Sequence, residues 1–368
     1  MRVTLILPRQ PSRYSVLYDV YSDLCMGLSR IGAQPEVLLL DDREGEDFPY
    51  FPVRRVGVRE ALDIMRSPDA PLVTVDDFPL MGYLYRARVT GPITVWAQYF
   101  YGHKFFLARY RDLWHRNFGA PLRARALGHV PQSLWSRIAR FYWEPLRRSR
   151  VLAQSLWTAL LLGRVYDVPV LGVLHPPIEP SYYPLGRGER RGALVFLGDE
   201  SDTDLFALSR VMHALRSVDP GIEFDYFGDE GVGEEFNRRF GEDMRYLGRL
   251  ERADLGREYS GHAVTIAPVY NGTFEMVPVQ SLLAGAPVIT YMQPFMEVVG
   301  RTPLVANVED AGAVEMAARR WLSGDPAMER EVEAVRGRIL GEMDPAVVAS
   351  RLLEFLPGED RVPPAGSG

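Results

Sequence analysis

Within 368 residues, the stretch with the most developed chemistry is Thr265 to Thr290, TIAPVYNGTFEMVPVQSLLAGAPVIT. The apolar run from Val264 to Pro268 predicts a buried strand. The turn Tyr270-Asn271-Gly272-Thr273 is made of residues that tolerate unusual backbone angles. A helix pattern follows through Phe274, Val277, Gln280, Ser281 and Ala284. Gly285 closes it and Pro287 stops it, and a second apolar strand occupies Pro287 to Thr290. The turn thus opens a helix N-terminus, where unpaired N–H groups suit a phosphate. An ordinary strand–helix crossover has the same pattern.

Three other groups could do chemistry. Asp76 and Asp77 end an apolar strand, where a carboxylate binds a hydroxyl or takes a proton, or caps the next helix. His103, beside Gly102 in an aromatic segment, is either a functional imidazole or a packed ring. The loop Asp199-Glu200-Ser201-Asp202-Thr203-Asp204 offers oxygen atoms of the kind Mg²⁺ or Ca²⁺ takes, or caps the helix after it through Asp202 or Thr203. Its spacing fits no EF-hand, so no metal and no other cofactor is expected. The single cysteine, Cys25, excludes an internal disulfide and a cysteine-based metal site.

These residues need elements to hold them, and the hydropathy pattern supplies a repeated alternation. Strands are expected at Arg2–Leu7, Glu36–Leu40, Val53–Val56, Pro71–Val75, Ile93–Ala97 and from Arg150. Helices are expected at Val16–Ile31, Arg59–Met65, Phe78–Arg88 and Leu156–Tyr166. The Pro-rich run 168–186, VPVLGVLHPPIEPSYYPLG, has a strand, a Pro-rich turn and an aromatic-proline exit, and reads as an interdomain linker containing His175. The pattern then restarts, with strands at Gly192–Leu197, Ile222–Phe227, Met244–Leu247 and Leu304–Ala306. Helices alternate with them at Asp204–Val218, Glu234–Phe240, Asp254–Tyr259, Ala311–Leu322, Met328–Leu340 and Val347–Leu356. The fold class is therefore α/β, with two doubly wound parallel sheets. Ligands in such sheets lie beyond the carboxyl ends of the strands.

Composition is globular, 47% hydrophobic and 24% charged, and no apolar run reaches the length of a membrane span. The N-terminal run MRVTLILPRQ reads as a first strand rather than a signal peptide, so a cytoplasmic location is expected. Net charge is −6, unevenly spread: residues 1–188 sum to +7 and 189–368 to −13. Segment 103–150 holds 11 basic residues against 2 acidic, interleaved with Phe, Tyr, Trp and Leu. It reads as basic amphipathic helices that rest on an anionic membrane surface, line a cleft for an acidic acceptor, or pack on the sheet with arginine stems covering apolar surface. The acidic second half and the lack of a recognition motif argue against nucleic acid.

Several segments in order resemble the GT-B glycosyltransferases, and in detail the retaining glycosyltransferase family four. They are VLHPPIEPSYYPL in the linker, GALVFLG at the opening of the second domain, MRYLGRLERADLGREYSGHAVTIAPV, and PVQSLLAGAPVI. The resemblance implies two Rossmann-like domains facing across a cleft. Residues 1–186 would bind the acceptor and 187–342 a nucleotide-diphosphate sugar. A helix at 343–357 would pack back on the first domain, and 358–368 would be a disordered tail. Donor contacts are implied at Gly198, Arg249, Asn271, Gly272, Thr273, Phe274 and Gln280, and catalytic roles at Gln98, His103, Glu275 and Asp77. Where the family has two glutamates eight positions apart, this chain has Gly272 and Gln280, and Glu275 could supply a carboxylate from a shifted position. The family's basic diphosphate-binding pair is replaced by the acidic 199–204 loop, with Arg249, Arg190, Arg191 or Arg301 as substitutes. The acceptor would be a sugar, a glycolipid or a small molecule, anionic or lipid-linked. In that case 103–150 would touch the inner face of the membrane.

Overall fold

The computed structural model describes residues 1–7, 16–40, 53–89, 93–98, 132–186, 190–198, 203–269, 274–323 and 325–357. They form two lobes, each a parallel sheet with helices on both faces. In the first, β1 (Arg2–Leu7), β2 (Gln34–Leu39), β3 (Val53–Arg55), β4 (Leu72–Val75), β5 (Ile93–Ala97), β6 (Arg150–Ala153) and β7 (Val170–Val173) run in the order β3-β2-β1-β4-β5-β6-β7. In the second, β8 (Ala193–Leu197), β9 (Phe224–Gly228), β10 (Arg245–Tyr246), β11 (Val264–Ala267), β12 (Val288–Thr290) and β13 (Val305–Asn307) run in the order β10-β9-β8-β11-β12-β13. The strand order reverses beside β1 in one sheet and beside β8 in the other. At such reversals the carboxyl edge opens a crevice.

The central strands are apolar on both faces because both faces are covered. Along β1, Val3, Leu5 and Leu7 pack with α1 (Val16–Arg30). Ile6 points the other way, into a core with α2 (Val58–Arg66), α3 (Phe78–Ala87) and α4 (Gln132–Arg148). A further helix, α5 (Leu156–Val165), follows β6. In the second lobe, Val195, Ile266 and Ile289 face α6 (Leu205–Val218) and α11 (Ala311–Leu322). Leu194, Ala267 and Val288 face α9 (Met276–Leu283) and α12 (Pro326–Met343). Among the described residues the remaining α-helices are α7 (Glu230–Phe240), α8 (Arg252–Gly261), the short α10 (Met296–Val299) and α13 (Pro345–Phe355).

Val348, Ala349 and Leu352 of α13 lie in the first lobe's core against Leu24 and Leu28 of α1. Two Asp-Pro pairs set this route. Asp325 and Asp344 each cap a helix whose first residue is proline, a position where proline's missing N–H costs nothing.

The strand expected within the 168–186 run is β7, which hydrogen-bonds to β6 as the edge of the first sheet. Three boundaries differ from expectation. Helix α6 is capped by Asp204, which accepts from Ala207 N at 2.9 Å, and not by Asp202 or Thr203. Helix α7 starts at Glu230, because Asp229 caps it, and not at the expected Glu234. Helix α9 starts at Met276, not Phe274.

Arginine has a repeated structural use here. Arg147 donates to Tyr166 O at 2.8 Å, Arg338 to Val299 O at 2.7 Å, Arg190 to Ala284 O at 3.1 Å, and Arg336 to Leu283 O. Each covers carbonyls at a helix C-terminus, where the macrodipole favours a cation.

Candidate active site

The second lobe's site is built on the crossover β11–α9. Gly285, with φ 82°, takes the left-handed turn that ends α9, so that Pro287 and Val288 return as β12. Glu275 is the N-cap residue but its side chain makes no cap bond. Met276 and Val277 offer backbone N–H groups at the helix start, whereas Pro278 has none. Gln280, one turn further on, is 2% exposed and accepts a hydrogen bond from Tyr259 OH at 3.3 Å. The Tyr259 phenol is held well above its usual range, first by burial and further by the neighbouring charges of Tyr183 and Glu275. Glu275 and Gln280 thus share Tyr259 as a neighbour. Asn271, Gly272 and Thr273 lie outside the described residues, and so does the loop 199–202.

Around this helix the carboxyl edge is tightly drawn. Gly198 follows β8, and Thr203 pairs with Val269 in an isolated antiparallel bridge. Asp204 N donates to Pro268 O at 2.8 Å, and Asp204 Oδ2 accepts from Tyr291 OH at 2.7 Å. Gly228, with φ 108°, passes so close to the Leu197 carbonyl that a side chain would collide with it. Arg249 follows Gly248 in the loop that leaves β10, on this carboxyl edge. The other arginine substitutes are elsewhere. Arg190 covers carbonyls at the end of α9, Arg191 N binds Gly261 O at 3.1 Å ahead of β8, and Arg301 precedes β13. All three sit at the amino edge of the sheet, which removes them as diphosphate ligands.

The first lobe presents a chain of hydrogen bonds along its own carboxyl edge. Tyr142 OH donates to Asp76 Oδ2 at 2.5 Å, and Gln98 N donates to Asp76 Oδ1 at 2.8 Å. Gln154 Nε2 donates to Gln98 O at 2.9 Å, and His175 Nδ1 lies 3.1 Å from Gln154 O. The Gln154 carbonyl requires a proton on Nδ1, so the neutral ring carries its lone pair on Nε2. Gln98 also accepts from Tyr21 OH at 3.4 Å. Asp77 caps α3 through Leu80 N at 3.4 Å and is 3% exposed. His103 lies outside the described residues. In segment 103–150 the described arginines are partly engaged: Arg147 covers the end of α5, Arg148 pairs with Glu144 at 3.0 Å, and Arg150 donates to Phe355 O at 2.8 Å. Among the described residues no group of three or more His, Cys, Asp or Glu could hold a metal ion.

The two carboxyl edges meet. The His175 ring, just beyond β7, packs tilted against Phe274, with centroids 5.5 Å apart and planes at 37°; Phe274 directly precedes the cap of α9. Burial pushes the His175 imidazole below its usual range. The Gln154 carbonyl and the Glu297 and Glu342 carboxylates oppose that shift. Sequence reasoning placed His175 in linker packing. Its position directly after a strand of the first sheet was the available signal for the cleft.

With this geometry, residues 192–324 match the family model described as Glycosyl transferases group 1. The match falls on the second lobe. No curated protein matches the chain in sequence. The solved structure of sucrose-phosphate synthase from Thermosynechococcus elongatus is similar at 14% identity and TM-score 0.64, over 96% of this chain and 98% of that one. Anabaena HepE in complex with UDP is similar at 13% identity and TM-score 0.65, over 96% and 99%. WaaG, a glycosyltransferase of lipopolysaccharide biosynthesis, is similar at 14% identity and TM-score 0.63, over 97% and 100%. The fold is GT-B, two parallel-sheet lobes, and the group 1 match coincides with the lobe that carries Glu275 and Gln280. Match and fold together support a sugar-transferring enzyme. Among the described residues no helix is long and apolar enough to cross a membrane.

Proposed function

We propose that the chain is a retaining glycosyltransferase. Its donor, a nucleotide-diphosphate sugar, occupies the carboxyl edge of the second lobe, with the diphosphate at the Gly272–Phe274 stretch and the α9 amides. The observation that carries this is the coincidence of the group 1 match, residues 192–324, with the edge that gathers Gly198, Phe274, Glu275 and Gln280. Arg249 is the cation for the diphosphate, and Gln280 the hydrogen-bonding amide for a ribose hydroxyl. Glu275 supplies the carboxylate near the transferred sugar. Retention needs no protein nucleophile at position 272, because the leaving phosphate itself assists while the enzyme stabilises developing charge.

The acceptor lies against the first lobe, beside Gln98, Asp77 and the 103–150 segment. The basic aromatic character of that segment favours an anionic or lipid-linked acceptor and contact with the inner face of the membrane from the cytoplasm. HepE structures hold UDP, or UDP-glucose, so uridine nucleotides are the first donors to try.

A thermal-shift screen with UDP, GDP and ADP sugars tests the reading. Stabilisation by one nucleotide, lost in Gln280→Ala and Thr273→Ala, is expected. Normal binding by both variants would place the donor elsewhere. A second reading, an inactive binding subunit, is favoured by one observation: the Asp204 carboxylate already occupies the N-terminus of α6 beside the donor edge. A screen with no stabilisation by any nucleotide supports that subunit.

A further inference from the structure

Helix α5 starts where β6 leaves the first sheet, on the edge facing the second lobe. Its first amides need partners. Ser155 Oγ, the side-chain cap, accepts from Thr158 N at 3.0 Å. The two preceding amides are covered by the other lobe: Leu156 N donates to Glu297 Oε2 at 2.6 Å and Trp157 N to Glu297 Oε1 at 3.0 Å. One carboxylate therefore spans two N–H groups of a ten-residue helix, in the orientation that the helix dipole favours.

Glu297 is held from behind. It lies on α10, which continues the segment leaving β12. Tyr291 OH fixes that segment to Asp204 and Gln293 Nε2 fixes it to Val269 O, the two stretches that border the donor edge. Phe295 is fully buried, and Arg338 Nε closes α10 on Val299 O at 2.7 Å. Residues 291–297 thus form a short strap with one end on the donor edge and the other on the first lobe. Glu297 itself is exposed and buries little apolar surface, so its bonds to α5 matter more for lobe placement than for folding.

From this we infer that Glu297 is a positioning residue, which sets how closely the first lobe closes over the donor edge of the second. Its effect on transfer rests on the glycosyltransferase reading, whereas its effect on closure does not. A carboxylate that binds only the closed arrangement shifts the population of lobes toward it.

Small-angle X-ray scattering of the full chain without ligand is the test, on wild type, Glu297→Gln and Glu297→Ala. The alanine variant is expected to have the larger radius of gyration and an unchanged melting temperature. The glutamine variant, which keeps an acceptor but loses the charge, should fall between. Identical scattering from wild type and Glu297→Ala would overturn the inference. In transfer assays Glu297→Ala is expected to lower kcat/KM for the acceptor about tenfold with the Kd of UDP unchanged. An equal loss in UDP affinity would instead make Glu297 a donor ligand and overturn the role assigned. If no nucleotide binds even the wild type, the transferase reading fails, and the scattering comparison still decides closure.

Discussion

Asp23 of α1 and Arg252 of α8, one from each lobe, meet in a buried two-pronged pair, with Arg252 Nη1 2.6 Å from Asp23 Oδ1 and the second prong on Oδ2. Asp23 has no side-chain exposure and Arg252 has 10%. Asp23 Oδ2 also accepts from Glu179 N of the linker at 2.7 Å. The Arg252 guanidinium lies 4.3 Å over the Tyr182 ring. Both lobes and the linker between them converge on this pair.

A buried charge that loses its partner is left desolvated. Arg252→Met alone is therefore expected to destabilise the protein by about 3–5 kcal/mol, read from the urea midpoint. Combining it with Asp23→Leu should recover most of that loss. A double variant as unstable as the single one would show that the pair is not the source.

Asp19 shares Arg252 but has only its Nε edge, at 3.9 Å, because Asp23 takes the fork. Burial pushes the Asp19 carboxyl up to about 7 from an ordinary 3.8, Arg252 opposes this, and the Asp23 charge adds to it. The folded state therefore holds a proton that the unfolded chain has released. The stability from this group is fully present below about pH 3.8 and is lost as the pH rises to about 7. The loss is on the order of 4 kcal/mol. Asp19→Asn should remove this downward slope in urea titrations between those pH values. A variant with the wild-type slope would assign the titration to another group.

Helix α1 crosses the start of α13 at Gly27. A methyl group there would land on the Pro345 carbonyl, a backbone atom that cannot rotate aside. Gly27→Ala should cost about 1–3 kcal/mol and loosen α13, seen as faster hydrogen exchange at Val348 to Leu352. Unchanged exchange would mean that α13 docks without this close approach.

Much of the α/β alternation was legible because Gly285-Ala286-Pro287 and the alternating apolar runs are local signals. The two-sheet fold followed from them. The start of α9 was misread because Phe274 fits the helical period, yet its ring is buried against His175 of the other lobe. Asp204 is not singled out as a cap by sequence because four carboxylates stand in the 199–204 loop, and only the fold selects the one facing Ala207 N. Arg190 has the right chemistry for a diphosphate but lies at the wrong edge of the sheet. Glu297 with Leu156, and Arg252 with Asp23, join positions 141 and 229 residues apart, and no local pattern announces such pairs.

The central claim is that a nucleotide-activated sugar sits at the start of α9, and calorimetric titration of UDP and UDP-glucose tests it most directly. Wild type should bind. Gln280→Ala should bind at least tenfold more weakly, and Gln280→Glu, which keeps the shape and an acceptor for Tyr259, should retain affinity. Gln280→Ala binding as tightly as wild type, or no heat from wild type with any uridine, guanosine or adenosine diphosphate, would contradict it.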